Sequence, residues 1–249
     1  MIELQLIEKY KNAYKKLVLL DYDGTLVNYS PLPDKATPPD QLLGVLEKLI
    51  RFPQTRVIVI TGRRIHDIDN FLGHLPIDIM AEHGALNKVN GKWEKLTQDD
   101  GSWKNKVLPL LNRITLTCPN SFVEEKHFSL TWHYRNVETN TGFIHSRELI
   151  RLLENVAQSY NLRIIDGKKV VEIVTAEIDK GKAVRQLIEP NDYDGILCIG
   201  DDETDEDMFR YLKKYENAVT IKVGKEKTFA KYRLETVEEV ILLLEKLSK

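Results

Sequence analysis

Two short stretches hold carboxylates at spacings that suit chemistry. In Asp21-Tyr22-Asp23-Gly24-Thr25, two aspartates lie two residues apart, directly after the apolar run Leu17-Val18-Leu19-Leu20. An extended chain turns residues i and i+2 to the same side, so both carboxylates can point into one site. A carboxylate can attack phosphorus and form an acyl phosphate. A second carboxylate can protonate the leaving group and then activate water. Gly24 permits the sharp turn that must follow. An acidic turn chosen for its turn chemistry shows the same residue types, so this motif alone leaves both readings open. The second stretch is Gly200-Asp201-Asp202-Glu203-Thr204-Asp205, again after an apolar run. Carboxylates so crowded repel one another unless a cation sits among them. Mg²⁺ is often held by one or two carboxylates together with substrate phosphate and water. Helix capping is the competing use, since acidic residues favour a helix N-terminus. Capping suits Glu203 and Glu206 best; metal binding suits Asp201.

Two further elements could complete a phosphate site. Thr61-Gly62-Arg63 follows the run Val57-Ile58-Val59-Ile60 and offers a hydroxyl and backbone amides to phosphoryl oxygens. Lys180, in Asp179-Lys180-Gly181-Lys182, can neutralise a phosphate and the nucleophile's charge. Lys182 is a second candidate, but Lys180, next to Gly181, fits better. Taken singly, a Thr-Gly after a strand is common and a lysine is usually solvated.

The elements that must position these residues can be read from hydrophobic pattern. Apolar runs at 17–20, 57–60 and 195–200 suit strands buried on both faces, as in parallel sheets, and further strands are expected at 77–81 and 218–223. Helical spacing is expected over 2–16, from 42 to 50, 65–72, 180–189, 206–213 and 237–247. Strands alternating with helices argue for a parallel α/β sheet, whose ligands bind at the strands' carboxyl ends. Between 87 and 174 the pattern changes. Asn90-Gly91 and Asp166-Gly167 read as hairpin turns, helices are expected over 99–116 and 145–159, and strands lie within 122–134, 162–165 and 170–174. The expected architecture is an α/β core of residues 1–86 and 175–249 interrupted by an α+β insert of residues 87–174.

Bulk properties narrow the class. The 249 residues are 42% hydrophobic and 30% charged, the balance of a soluble globular protein. A formal net charge of -2 argues against the basic footprint of nucleic-acid binders, while a local basic pocket for an anionic small molecule remains compatible. Cys118 and Cys198 lie in apolar stretches without a CxxC partner and are expected to be free buried thiols, which suits a reducing cytosol. Glu3 and Glu8 break up any signal-peptide core, and no apolar run approaches the ~18 residues of a membrane span. The expectation is a cytoplasmic protein with a small-molecule substrate, no nucleic acid and no membrane.

In this order, the four elements resemble the signature motifs of the haloacid dehalogenase-like (HAD) phosphatases. The resemblance implies a Rossmannoid core with a mostly parallel sheet and an inserted α+β cap domain. It implies Asp21 as nucleophile, Asp23 as general acid/base, and Thr61 and Lys180 as phosphate ligands. Mg²⁺ would be held by Asp201, Asp21 and the carbonyl of Asp23, with Asp202 or Asp205 in support.

The insert narrows the resemblance. Glu124-Glu125-Lys126-His127-Phe128-Ser129 followed by His133-Tyr134-Arg135 resembles the E-x-K-x-x-S and H-Y-R cap motif of trehalose-6-phosphate phosphatases. Glu82-His83-Gly84 and Lys169-Val170-Val171-Glu172 are similar to segments of the same family. Strand alternation alone would place Lys126 among polar neighbours, and His133 and Arg135 on one face; an ordinary solvated sheet would look the same. The resemblance implies substrate contacts at Lys126, Ser129, His133, Arg135 and Glu172, with Arg63, Glu82 and His83 lining the core side. Ile173-Val174-Thr175-Ala176 departs from the basic residue and proline often found there, which affects the return linker rather than the chemistry. The implied activity is hydrolysis of trehalose 6-phosphate, the last step of trehalose biosynthesis. No glycosyltransferase segment precedes the motifs, so a separate trehalose-phosphate synthase is the expected functional partner. The alternatives are a phosphatase for another sugar phosphate, such as sucrose phosphate or mannosyl-phosphoglycerate, and a non-catalytic sugar-phosphate-binding regulatory domain. A phosphomutase fits the cap less well.

Overall fold

The computed structural model describes residue 8 and residues 10–249. Of the helix expected over 2–16, residues 2–7 and 9 lie outside the described residues; among the rest helix is seen only as far as residue 12, and Lys16 already belongs to the first strand. The chain forms two compact units, one running to Leu96 and resuming at Asp179–Lys249, the other Thr97–Ile178.

The first unit is built on an eight-stranded sheet. Its strands are β1 (Lys16–Leu20), β2 (Thr55–Ile60), β3 (Asp78–Ala81), β4 (Leu86–Val89), β5 (Lys92–Lys95), β10 (Gly195–Gly200), β11 (Ala218–Val223) and β12 (Tyr232–Leu234). The order is β12-β11-β10-β1-β2-β3-β4-β5. Pairing is parallel from β12 to β3 and antiparallel at β3-β4-β5. The α/β class read from the sequence is therefore the one observed. From β1 the chain steps outward on one side through β2 and β3, and later on the other through β10 and β11. Such a reversal opens a crevice at the carboxyl ends of β1 and β10.

Burial explains the strand choice. Leu17, Val18, Leu19 and Leu20 are all fully buried, so β1 is covered on both faces. Leu17, Leu19, Ile58 and Ile60 pack in one cluster with Ala183, Val184 and Leu187 of α5 (Lys180–Ile188) and Met208, Phe209 and Leu212 of α6 (Glu203–Leu212). Helix α1 (Asp40–Ile50) packs against β2 and α7 (Val237–Leu247), and α2 (Ile65–Leu72) links β2 to β3.

Some boundaries differ from expectation. Asn90-Gly91 does make the hairpin turn, but β4 and β5 extend the core sheet rather than opening the insert. The second unit accordingly begins at Thr97, not residue 87. Strand β12 was not expected, being only three residues long and without an apolar run. The turn expected at Asp166-Gly167 lies at Lys168-Lys169, because Gly167 pairs with Val170. Lys169 accepts the left-handed backbone there (φ 66).

The second unit has an antiparallel sheet in the order β6-β7-β9-β8, formed by β6 (Phe122–Glu125), β7 (Ser129–His133), β8 (Leu162–Gly167) and β9 (Val170–Thr175). Helices α3 (Lys104–Thr117) and α4 (Thr139–Ser159) share its core. Leu130, Trp132, Val171 and Ile173 meet Val107, Leu111, Leu149 and Leu153 in that core. Helix α3 starts later than residue 99 because Asp99 and Asp100 accept hydrogen bonds from the backbone of Gly101 and Ser102 and form turns instead. Helix α4 starts earlier than residue 145 because Glu138 caps it, accepting from the amides of Asn140 and Thr141. Cys118 and Cys198 are buried and free. Among the described residues no helix is long and apolar enough to cross a membrane.

Candidate active site

The first unit gathers the expected core residues at strand ends. Asp21 follows β1, Thr61 follows β2, Asp201 follows β10, and Lys180 opens α5; all four are buried. The Lys180 ammonium donates to Asp21 Oδ1 at 2.6 Å and to Asp205 Oδ1 at 2.8 Å. Asp205 Oδ2 accepts from the amides of Asp201 (2.7 Å) and Asp202 (3.0 Å), which fixes the loop that carries Asp201. Asp21, Asp201 and Asp205 each offer an oxygen within 4.8 Å of the others. Of the lysines once in competition, Lys180 is in the cluster, whereas Lys182 is exposed and pairs with Asp179.

Burial dominates the electrostatics. It pushes the Asp21 carboxyl well above its ordinary value; Lys180 opposes the rise, while Asp205, Asp201 and Asp202 add to it. Asp205 is raised for the same first reason. Burial disfavours charge on Lys180 too, but Asp205 and Asp21 outweigh it and hold the ammonium well above 10.5. One cation thus serves several buried carboxylates. Asp21 Oδ2 is buried without a hydrogen-bond partner. A hard cation fits this donor set: the available donors are carboxylate oxygens, carboxylates outnumber the Lys180 ammonium, and one Asp21 oxygen is left to satisfy.

Asp202 serves mainly as a cap. Its Oδ1 accepts from the amide and hydroxyl of Thr204, and Asp205 reaches back to its amide, a reciprocal capping box for α6. Glu203 and Glu206 do lie in the acidic first turn of α6, as expected, but the capping hydrogen bonds are made by Asp202 and Asp205. Glu206 instead pairs with the buried Lys222 at 3.3 Å and accepts from the amide of Phe229.

The loop after β1 adds one residue that no local pattern marks, Tyr29. Gly24 adopts φ +82, and its amide donates to the Val27 carbonyl at 2.7 Å, turning the chain sharply. Tyr29 hydroxyl then donates to Asp201 Oδ2 at 2.9 Å. Asp23 is held by Arg63, whose Nε and Nη2 each donate to one carboxylate oxygen at 2.7 Å. Thr61 Oγ1 accepts from the Arg63 amide at 3.2 Å. Glu82 and His83 are buried in left-handed backbone (φ 47 and 58), a strained geometry for residues with a Cβ. Their amides donate to the carbonyls of Arg63 and Thr61, so the strained turn is stitched to the Thr61 loop.

The second unit has its own polar cluster. Lys126 Nζ and Ser129 Oγ both donate to Glu172 Oε1, at 2.9 and 2.6 Å, and all three residues are buried. His133 Nε2 lies 2.8 Å from Glu124 Oε2 and its ring stacks on Phe122. Glu124 was passed over as a site residue, although it opens the E-x-K-x-x-S pattern. Arg135 lies beyond the end of β7, where strand alternation no longer places it, and donates to the Lys168 carbonyl.

With this geometry in view, comparison with known proteins is decisive. The family profile of the trehalose-phosphatases matches residues 19–238. The chain belongs to the trehalose-phosphatase family. It is 39% identical over 239 residues to the bifunctional trehalose-6-phosphate synthase/phosphatase of Thermoproteus tenax, covering 96% of this chain and 32% of that protein. It is 33% identical to the trehalose-phosphatase of Saccharomyces cerevisiae, covering 95% of this chain and 31% of that one. The chain thus spans about a third of the length of these family members. The C-terminal domain of Candida albicans trehalose-6-phosphate phosphatase superposes with a TM-score of 0.95 at 30% identity, covering 100% of this chain and 97% of that one. A Bacillus subtilis haloacid dehalogenase-like hydrolase shares the fold at a TM-score of 0.65.

Proposed function

We propose that the chain is a Mg²⁺-dependent phosphatase that hydrolyses trehalose 6-phosphate to trehalose and phosphate through an aspartyl-phosphate. The observation that carries this reading is the buried cluster of Asp21, Lys180, Asp201 and Asp205, assembled from distant segments in a chain of the trehalose-phosphatase family. A regulatory domain without catalysis has no need to keep a nucleophile, its counter-cation and a set of metal-competent carboxylates together.

Asp21 is the nucleophile. Its oxygen bonds to phosphorus, the phosphorus–sugar oxygen bond breaks, and the departing oxygen takes a proton from Asp23. Asp23 next accepts a proton from water, whose oxygen attacks phosphorus; the bond to Asp21 breaks and phosphate leaves. Lys180 neutralises Asp21 and the phosphoryl oxygens, and Thr61 offers its hydroxyl to them. Asp21, Asp201 and the Asp23 carbonyl would hold Mg²⁺, which supplies charge neutralisation and orientation of the phosphate. Asp205, saturated by Lys180 and two amides, orders the other groups. In the second unit, Lys126, Ser129, Glu172 and the Glu124–His133 pair offer donors and acceptors matched to sugar hydroxyls; Arg135, tied to the Lys168 carbonyl, is a further candidate contact. A trehalose-phosphate synthase is the proposed functional partner, in keeping with the relative whose name joins both activities.

The test is phosphate release from trehalose 6-phosphate, glucose 6-phosphate and sucrose 6-phosphate, each with Mg²⁺ and with EDTA. A strong Mg²⁺-dependent preference for trehalose 6-phosphate supports the reading. Preference for another ester keeps the core chemistry and overturns the reading of the second unit. No release from any of them supports a binding role instead.

A further inference from the structure

Arg63 was expected to line the substrate side of the core, but its guanidinium is already engaged. Nε and Nη2 hold the two oxygens of Asp23, and Nη1 donates to the Pro33 carbonyl at 2.7 Å. The group also lies 5.0 Å from the Tyr22 ring centroid and 5.2 Å from that of Phe71. Those two rings are themselves stacked, and the Tyr22 hydroxyl is tied to the Ala36 carbonyl. Arg63's side chain is 6% exposed and that of Asp23 27%. The guanidinium is therefore the fixed partner of the pair and the carboxylate the movable one.

This arrangement bears on proton transfer. Both Asp23 oxygens face N–H donors in a planar fork, a geometry that only arginine supplies. A carboxyl that hands a proton to a leaving oxygen, and then takes one from water, must turn at least one oxygen out of that fork. We propose that Arg63 is a positioning residue: it holds Asp23 in a forked ion pair and releases it for proton transfer, rather than binding the substrate itself. The proposal rests on the phosphatase reading of the same site. The segment that Arg63 grips at Pro33 also carries Tyr29, bonded to Asp201, so a single loop is anchored to both the proton-transfer and the metal-competent sides.

A double-mutant cycle on kcat/KM for trehalose 6-phosphate tests this. Asp23→Asn is expected to lower activity by about 10²–10⁴-fold, the usual scale of general acid–base catalysis. Arg63→Met in the wild-type background should cost on the order of tenfold or more, and next to nothing when added to Asp23→Asn. Arg63→Lys, which keeps the charge but not the fork, should resemble Arg63→Met. Losses that multiply across the cycle, or full activity in Arg63→Lys, overturn the proposal in favour of direct charge binding. Thermal melts of each variant exclude simple unfolding as the source of a loss. A second readout uses phenyl phosphates of graded leaving-group pKa. Arg63→Met should lose most with poor leaving groups and least with 4-nitrophenyl phosphate, a ratio independent of the fraction of folded enzyme. A uniform loss across the series overturns the proposal while leaving the phosphatase reading intact; a wild-type chain that releases no phosphate overturns that reading itself.

Discussion

The Lys180 ammonium lies 2.6 Å from Asp21 Oδ1, and neither side chain is appreciably exposed. A buried ion pair contributes little over a matched apolar pair, but removal of one partner strands the other. Lys180→Met strands Asp21 and Asp205 together. It should lower unfolding free energy by about 3 kcal/mol or more and abolish phosphate release. Urea unfolding beside an activity assay checks both. Retained activity would remove Lys180 from the proposed mechanism.

The same cluster predicts how pH and metal act on stability. Asp21 and Asp205 have raised pKa values in the folded protein, chiefly through burial. Above the ordinary carboxylate value of 3.8 the native state therefore holds protons that the unfolded chain has released. Between that value and the raised folded values the native state binds more protons than the unfolded chain, so stability falls as pH rises and the loss is complete once pH has passed the folded values. Mg²⁺ held as proposed would compensate for the charge once the carboxylates ionise. Melting temperature measured at pH 5 and pH 8 should rise on adding Mg²⁺ over EDTA, and rise more at pH 8. An equal shift at both values would mean that the ion binds elsewhere.

Gly24 offers a test of the turn that carries the proposed catalytic pair, Asp21 and Asp23. At φ +82 a side chain is strained, and a Cβ there would stand 2.3 Å from Asp201 Oδ2 and 2.6 Å from the Tyr29 ring. Backbone strain alone costs about 1–2 kcal/mol. Gly24→Ala should therefore lose stability by at least that much and weaken Mg²⁺ binding by displacing Asp201. Calorimetric titration with Mg²⁺ in the absence of substrate separates the two effects. Unchanged affinity would show that Asp201 does not hold the ion.

How far the sequence shows this site depends on the distance over which each signal acts. Asp21, Thr61 and Asp201 follow apolar runs and Lys180 opens an amphipathic helix, so strand and helix period with topology place them together without side-chain detail. Residues whose role depends on a partner far along the chain left no such trace. Tyr29 reaches Asp201 across 172 positions, and no local pattern marks a tyrosine in a polar loop. Arg63 was legible as the residue after Thr61-Gly62, but not as the partner of Asp23, since ion pairing is decided by rotamers. The misplaced boundary at residue 87 has a similar cause. A hairpin reads alike whether it extends one sheet or starts another, and the choice rests on the pairing of β4 with β3. The early start of α6 shows local ambiguity of another kind: Asp202 and Asp205 can cap a helix or face a cation, and spacing alone favours neither.

Glu172 is the place to separate recognition from chemistry. Its Oε1 accepts from both Lys126 and Ser129, in a compact unit other than the one that contains Asp21 and Lys180. Glu172→Gln keeps an acceptor oxygen for Ser129 but removes the charge that fixes Lys126. A hydrogen bond to a charged group is worth about 1.5–3 kcal/mol, so KM for trehalose 6-phosphate should rise about 10- to 100-fold. An aryl phosphate with no sugar to grip has nothing to lose from the change. Its kcat/KM in Glu172→Gln should stay within about twofold of wild type, below the ~1.4 kcal/mol that a tenfold effect requires. Parallel losses on both substrates would instead assign Glu172 to the stability of the antiparallel sheet, and the sugar contacts would have to be sought elsewhere, first at the Glu124–His133 pair.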